Sequence, residues 1–136
     1  MPDEQRLFTV EEAQELLDGG VREAAERIVA LRADWRPLQR RWWRVVLAVG
    51  SNGGALSIAD TERLRVQVEE VTESLNLLIT EVGALGIQIK DLDSGLLDFP
   101  AEIDGGPALL CWRVGEDRIG FWHSPEDGFA GRRPLP

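Results

Sequence analysis

Two apolar seams constrain this chain more than any other feature. Val21, Ala24, Ile28, Leu31, Trp35, Leu38, Trp42, Val45 and Val49 follow one another at spacings of 3, 4, 3, 4, 3, 4, 3 and 4. That rhythm puts every member on one stripe of an α-helix, the pattern of a helix that pairs with another. Gly50-Ser51-Asn52-Gly53-Gly54 ends it. Ser57, Thr61, Leu64, Val68, Val71, Leu75, Leu78, Val82 and Leu85 then form a second seam, spaced 4, 3, 4, 3, 4, 3, 4 and 3, with Gly86 in the usual glycine position beyond a helix end. Two seams of 29 residues joined by a short glycine-rich loop predict an antiparallel helical hairpin. At about 1.5 Å per residue each helix is about 43 Å long. Pro37 falls off the seam and removes one hydrogen bond, so a kink is expected there rather than an end.

The seams leave apolar residues over. Trp43, Val46 and Leu47 lie off the first near the loop, and Leu77 and Ile79 lie off the second at the other end. They call for a third layer. At the far end it is expected from a short helix near residues 10–17, announced by Phe8-Thr9-Val10-Glu11-Glu12-Ala13. There Thr9 and Glu12 have capping-box spacing, and Phe8 and Ala13 stand in staple positions. Asp18-Gly19-Gly20 then breaks this helix. Near the loop, Trp43 and Leu47 are expected to meet a second copy of the chain, with cover by the meander or the first helix of the same chain as the alternative.

From residue 87 the period changes to strands. Ile87–Lys90 alternates, Leu96–Pro100 is short and bounded by Gly95 and Pro100, and Ala108–Val114 is the longest. Gly115-Glu116-Asp117 reads as a hairpin loop leading into Arg118–Trp122, and Ser124–Pro136 as a tail without periodicity. The expected fold is α+β: a long antiparallel helical hairpin with a short N-terminal helix and a small C-terminal antiparallel β-meander. It is read as one domain over 1–136, helical over 8–86, with meander and tail over 87–136.

Charge narrows the function classes. The net charge is -9, spread evenly along the chain, which disfavours nucleic acid and anionic membranes as partners. Five arginines against one aspartate in 32–49, interleaved with tryptophans, form a local exception. They read as a solvated helix face opposite the acidic Glu69, Glu70 and Glu73. No apolar run approaches the ~20 residues of a membrane span. The first residues, Met1-Pro2-Asp3-Glu4-Gln5-Arg6, have no signal-peptide core. A cytoplasmic protein is expected. Cys111, the single cysteine, reads as a small buried hydrophobe in a reducing compartment, with a nucleophile paired to His123 as the alternative.

The residues with chemical potential gather at the carboxyl end. Asp98, His123, Glu126 and Arg132 form the candidate ligand site, and Asp93, Asp98 and His123 are the residues that a divalent metal would draw on. A carboxylate on one imidazole nitrogen would orient the ring as a base or as a ligand. The plainer reading has Asp98 paired with Arg132 or Arg133 to pin the tail. Asp91-Leu92-Asp93-Ser94-Gly95 has a superficial likeness to a calcium loop, but its glycine is one place early and Pro100 interrupts the exit. Turn formation explains it.

Gly86-Ile87, Lys90-Asp91, Gly95-Leu96-Leu97-Asp98-Phe99-Pro100, Leu110-Cys111-Trp112, Gly115-Glu116, Trp122-His123 and Gly128-Phe129-Ala130-Gly131-Arg132, with the opening Phe8–Ala13, are similar to a prokaryotic family known as domain of unknown function 2203. The resemblance implies a cytoplasmic bacterial or archaeal protein and supplies no activity, cofactor or catalytic residue. The sequence therefore points first to a non-enzymatic interaction or assembly module, a homo-oligomer using its helical hairpin. A small-molecule or divalent-metal site at the meander around Asp98 and His123 is the alternative.

Overall fold

The computed structural model describes residues 6–48 and 57–136. Helix α1 spans Val10–Leu16, α2 spans Arg22–Ala48 and α3 spans Ile58–Ala84. The capping box at α1 forms in full: Thr9 Oγ1 accepts from the Glu12 N–H at 3.1 Å, and the Thr9 N–H donates to Glu12 Oε1 at 3.0 Å. Leu17–Val21 is a wide helical turn between α1 and α2, in which Gly20 takes φ 135°. Side chains rarely adopt that conformation, and this is why the break falls at a glycine.

Helices α2 and α3 run antiparallel, with Trp35 Nε1 donating to Thr72 Oγ1 at 3.1 Å. Helix α2 continues through Pro37. Both seams face inward, and Val21, Ile28, Leu31, Leu64, Leu75 and Val82 are buried. Ser57 caps α3, its hydroxyl accepting from the Asp60 N–H at 3.1 Å, so the second seam effectively opens at Thr61. Val49 and the expected loop, residues 50–54, lie outside the described residues.

Five strands follow: β1 (Gln88–Asp91), β2 (Leu96–Ile103), β3 (Gly106–Arg113), β4 (Phe121–His123) and β5 (Arg133–Pro134). They form one antiparallel sheet in chain order, with Leu97 opposite Trp112 and Phe99 opposite Leu110. This α+β architecture agrees with the expectation, though strand bounds differ, most at three places. Strand β2 runs past Pro100 to Ile103 because β1 ends its pairing at Asp98. Pro100 is thus a local edge residue with no ladder hydrogen bond to donate on that side, and its carbonyl accepts from the Phe8 N–H at 2.7 Å. Strand β4 starts at Phe121 rather than Arg118 because the preceding segment is tied elsewhere. The Ile119 N–H donates to Gln14 Oε1 at 3.0 Å, and the Ile119 side chain is buried. Finally, the tail supplies β5, whose Arg133 pairs with Trp122.

One face of the sheet completes the hairpin's third layer. Leu97, Phe99, Ala101, Leu110 and Trp112 share a core with Phe8, Ala13, Leu17, Ile28, Leu75 and Val82. The Phe8 and Phe99 rings meet edge to face at 5.5 Å. This core stops at Leu31 on α2 and begins at Val71 on α3. Beyond it, residues 32–48 and 58–70 form a distal arm that, among the described residues, is two helices thick.

Candidate functional sites

Alternation on β2, β3 and β4 sends Asp98, Cys111 and His123 to the face of the sheet away from the helices, with Asp98 directly opposite Cys111. All three are closed off from solvent, at 1%, 0% and 2% exposure. His123 Nε2 lies 3.0 Å from Asp98 Oδ2, and Nδ1 lies 2.7 Å from the Ser124 carbonyl. A carbonyl only accepts, so Nδ1 carries a proton and donates it. A second proton must sit between Nε2 and Asp98, because an imidazole lone pair would repel a carboxylate. The pair therefore shares one proton and is neutral overall. The other oxygen, Asp98 Oδ1, has no hydrogen-bond partner among the described residues. Burial, then the negative Asp98 beside it, pushes the Cys111 thiol up to about 12.

The tail meets this face through Arg132. Arg132 Nη2 donates to both carboxylate oxygens of Glu116, at 2.7 and 2.9 Å, and to the Cys111 carbonyl at 3.2 Å. Its guanidinium also lies over the rings of Phe121 and Phe129, at 4.2 and 4.7 Å. Of the residues singled out from sequence, Asp98 and His123 meet directly and Arg132 stands next to them. Glu126 is exposed. Asp93 lies in the turn between β1 and β2, bonded to Arg32 at 3.2 Å and Arg36 at 2.5 Å. Asp91 accepts from the Ser94 N–H at 3.0 Å in that same turn, the local role expected for it. Arg132 and Arg133 pair with Glu116 and Asp127 respectively. Sequence reasoning placed Cys111 beside His123 only as an alternative and did not bring Glu116 to the cluster. The available signal was the alternation of Leu109-Leu110-Cys111-Trp112, which sets Cys111 on the face opposite Leu110 and Trp112.

A second feature lies on the distal arm. Arg36, Arg40, Trp43 and Leu47 are spaced 4, 3 and 4, a stripe beside the seam. Trp43 is 53% exposed, Leu47 78%, and Ile58 at the start of α3 91%. The seam itself is only half-buried here at Trp35, Leu38, Trp42, Val45, Val68 and Val71. Two of the α3 glutamates, Glu62 and Glu69, bond to Arg65 of their own helix. Among the described residues, no ion pair links Arg40, Arg41 or Arg44 to an α3 carboxylate, so the two signs of charge stand side by side without cancelling.

The family model described as "Uncharacterized conserved protein (DUF2203)" matches residues 6–135. Neither the curated proteins nor the solved structures contain a match to the chain.

Proposed function

Since the chain belongs to the DUF2203 family of uncharacterized conserved proteins, whose description assigns no reaction, we propose from its own physical features that it is an assembly module joined to a second copy through the distal arm. The carrying observation is the exposure of Trp43 and Leu47 on one stripe of α2 and of Ile58 at the start of α3, on an arm whose own seam is half-buried. Two helices alone shield a seam poorly, and a second pair of helices would complete a four-helix bundle. Exposed large apolar side chains in a contiguous group mark interfaces. The arm carries arginines on α2 and glutamates on α3, and a surface with both signs suits a copy of itself better than a polyanion. A net charge of -9 works against nucleic acid in the same way. No described helix is long and apolar enough to cross a membrane. The single, buried cysteine suits the reducing cytoplasm.

Light scattering after size exclusion tests the reading. The expected mass is about 30 kDa, twice the 15.1 kDa chain, falling to the single-chain mass in the double variant Trp43→Glu, Leu47→Glu with its circular dichroism unchanged. A single-chain mass for the unaltered protein across micromolar concentrations would overturn it.

A further inference from the structure

The cluster on the outer face of the sheet has the makings of a site that the assembly reading does not use. We propose that Asp98, Cys111 and His123 bind a divalent transition-metal ion, with zinc the ion that their donor set suits. One carboxylate oxygen, one thiolate sulfur and one imidazole nitrogen are three ligand types that zinc accepts together. Their ligand atoms lie within 4.8 Å of one another. Bonds of about 2.0–2.3 Å around a tetrahedral ion put ligand atoms about 3.3–3.8 Å apart, so shifts of about 1 Å would close the site.

The surroundings prepare the donors. The Nδ1 proton of His123 is committed to the Ser124 carbonyl at 2.7 Å. That contact fixes the ring and directs Nε2 inward, the arrangement that metal-binding histidines commonly have. Asp98 Oδ1, buried and without a hydrogen-bond partner among the described residues, is left for a second carboxylate contact. Such a buried acceptor costs stability unless something satisfies it.

Charge also balances. An incoming divalent ion displaces two protons, the one on the Cys111 sulfur and the one shared by Asp98 and His123. Two positive charges replace two, so the buried cluster keeps its net charge. Arg132, which reaches the Cys111 carbonyl, is neutralised by Glu116 at 2.7 Å. The near-complete burial of all three donors suits a single ion rather than an organic ligand.

Cobalt is the probe, because a sulfur-bound cobalt(II) ion shows a thiolate-to-metal charge-transfer band in the near ultraviolet. Cys111 is the only cysteine, so any such band reports this residue. The full chain is stripped with a chelator, then loaded with Co2+ both in native buffer and during refolding. One equivalent per chain is expected, with the band present and lost on adding Zn2+. Cys111→Ser abolishes it, while Asp93→Asn leaves it unchanged. The absence of a band from the unaltered protein by both loading routes overturns the proposal. So does a band that survives in Cys111→Ser. If that variant fails to fold by circular dichroism, the unaltered protein alone still decides.

Discussion

The Cys111 side chain is completely buried beside the Asp98 carboxylate, and both circumstances hold its thiol in the protonated form, with a pKa of about 12. At pH 8 about one molecule in ten thousand then carries the thiolate, the reactive form. Iodoacetamide should therefore label metal-free native protein far more slowly than unfolded protein, as mass spectrometry can follow. Equal rates would mean that the thiol is open to solvent. The same shift affects stability. Above the ordinary value of 9.0 the unfolded chain loses this proton while the folded chain keeps it, so stability falls as pH rises from 9 towards 12. Urea melts at pH 8.5 and 10.5 should show that loss in the unaltered protein and a smaller one in Cys111→Ala. His123 acts on its neighbour. Removing it in His123→Ala takes the imidazole away from the buried Asp98 carboxylate, a change that typically costs about 3–5 kcal/mol. Asp98 and His123 were legible in the sequence as a polar pair among apolar strands. The part played by Cys111 was not, because it depends on β3 lying between them, and pairing order is a long-range fact that no local pattern carries.

At the scale of elements, what could be read was what repeats. The hairpin is a local period sustained over many residues, and the seam positions are indeed the shielded ones. The contrast between neighbouring leucines of α3 tests this directly. Leu75 is on the seam and buried, whereas Leu77 is 59% exposed. Leu75→Ala should cost about 2–5 kcal/mol, the usual range for emptying a core site, and Leu77→Ala within about 0.5 kcal/mol. Denaturant melts showing equal losses would contradict the seam. Strand ends were less legible because neighbours decide them. Pro100 looks like a stop, yet it sits in β2 where β1 has already ended and the Phe8 N–H donates to its carbonyl. Arg133-Pro134 has no strand signature at all and becomes β5 only through its pairing with β4. Gly95 is a further case. It has φ 68°, and an added Cβ would collide with Val114 and come within 2.9 Å of Val29 Cγ2. Val114 follows the end of β3 and Val29 comes from α2, neighbours that the turn sequence alone does not reveal.

The whole molecule is unevenly built, and that unevenness can be measured. Sheet, α1 and the base of the hairpin share one core, which ends at Leu31 on α2 and Val71 on α3. Past those points each helix rests mainly on the other, with Leu64 the one seam residue of the arm that is buried. Local opening requires less free energy where few apolar contacts hold an element. In a single chain, amide hydrogens of 36–48 and 58–70 should exchange well before those of 22–31 and 75–84. Self-association changes the order, since a partner that binds only the closed arm stabilises it by mass action. Protection of the arm should then rise with protein concentration while that of the base stays constant. Hydrogen exchange read by mass spectrometry at low and high micromolar concentrations separates the cases. Slow arm exchange at every concentration would mean that two helices suffice on their own. Fast arm exchange at every concentration would mean that nothing docks there. Only a concentration-dependent arm beside a constant base fits a second copy, and the double variant Trp43→Glu, Leu47→Glu should then hold the arm at its low-concentration rate throughout.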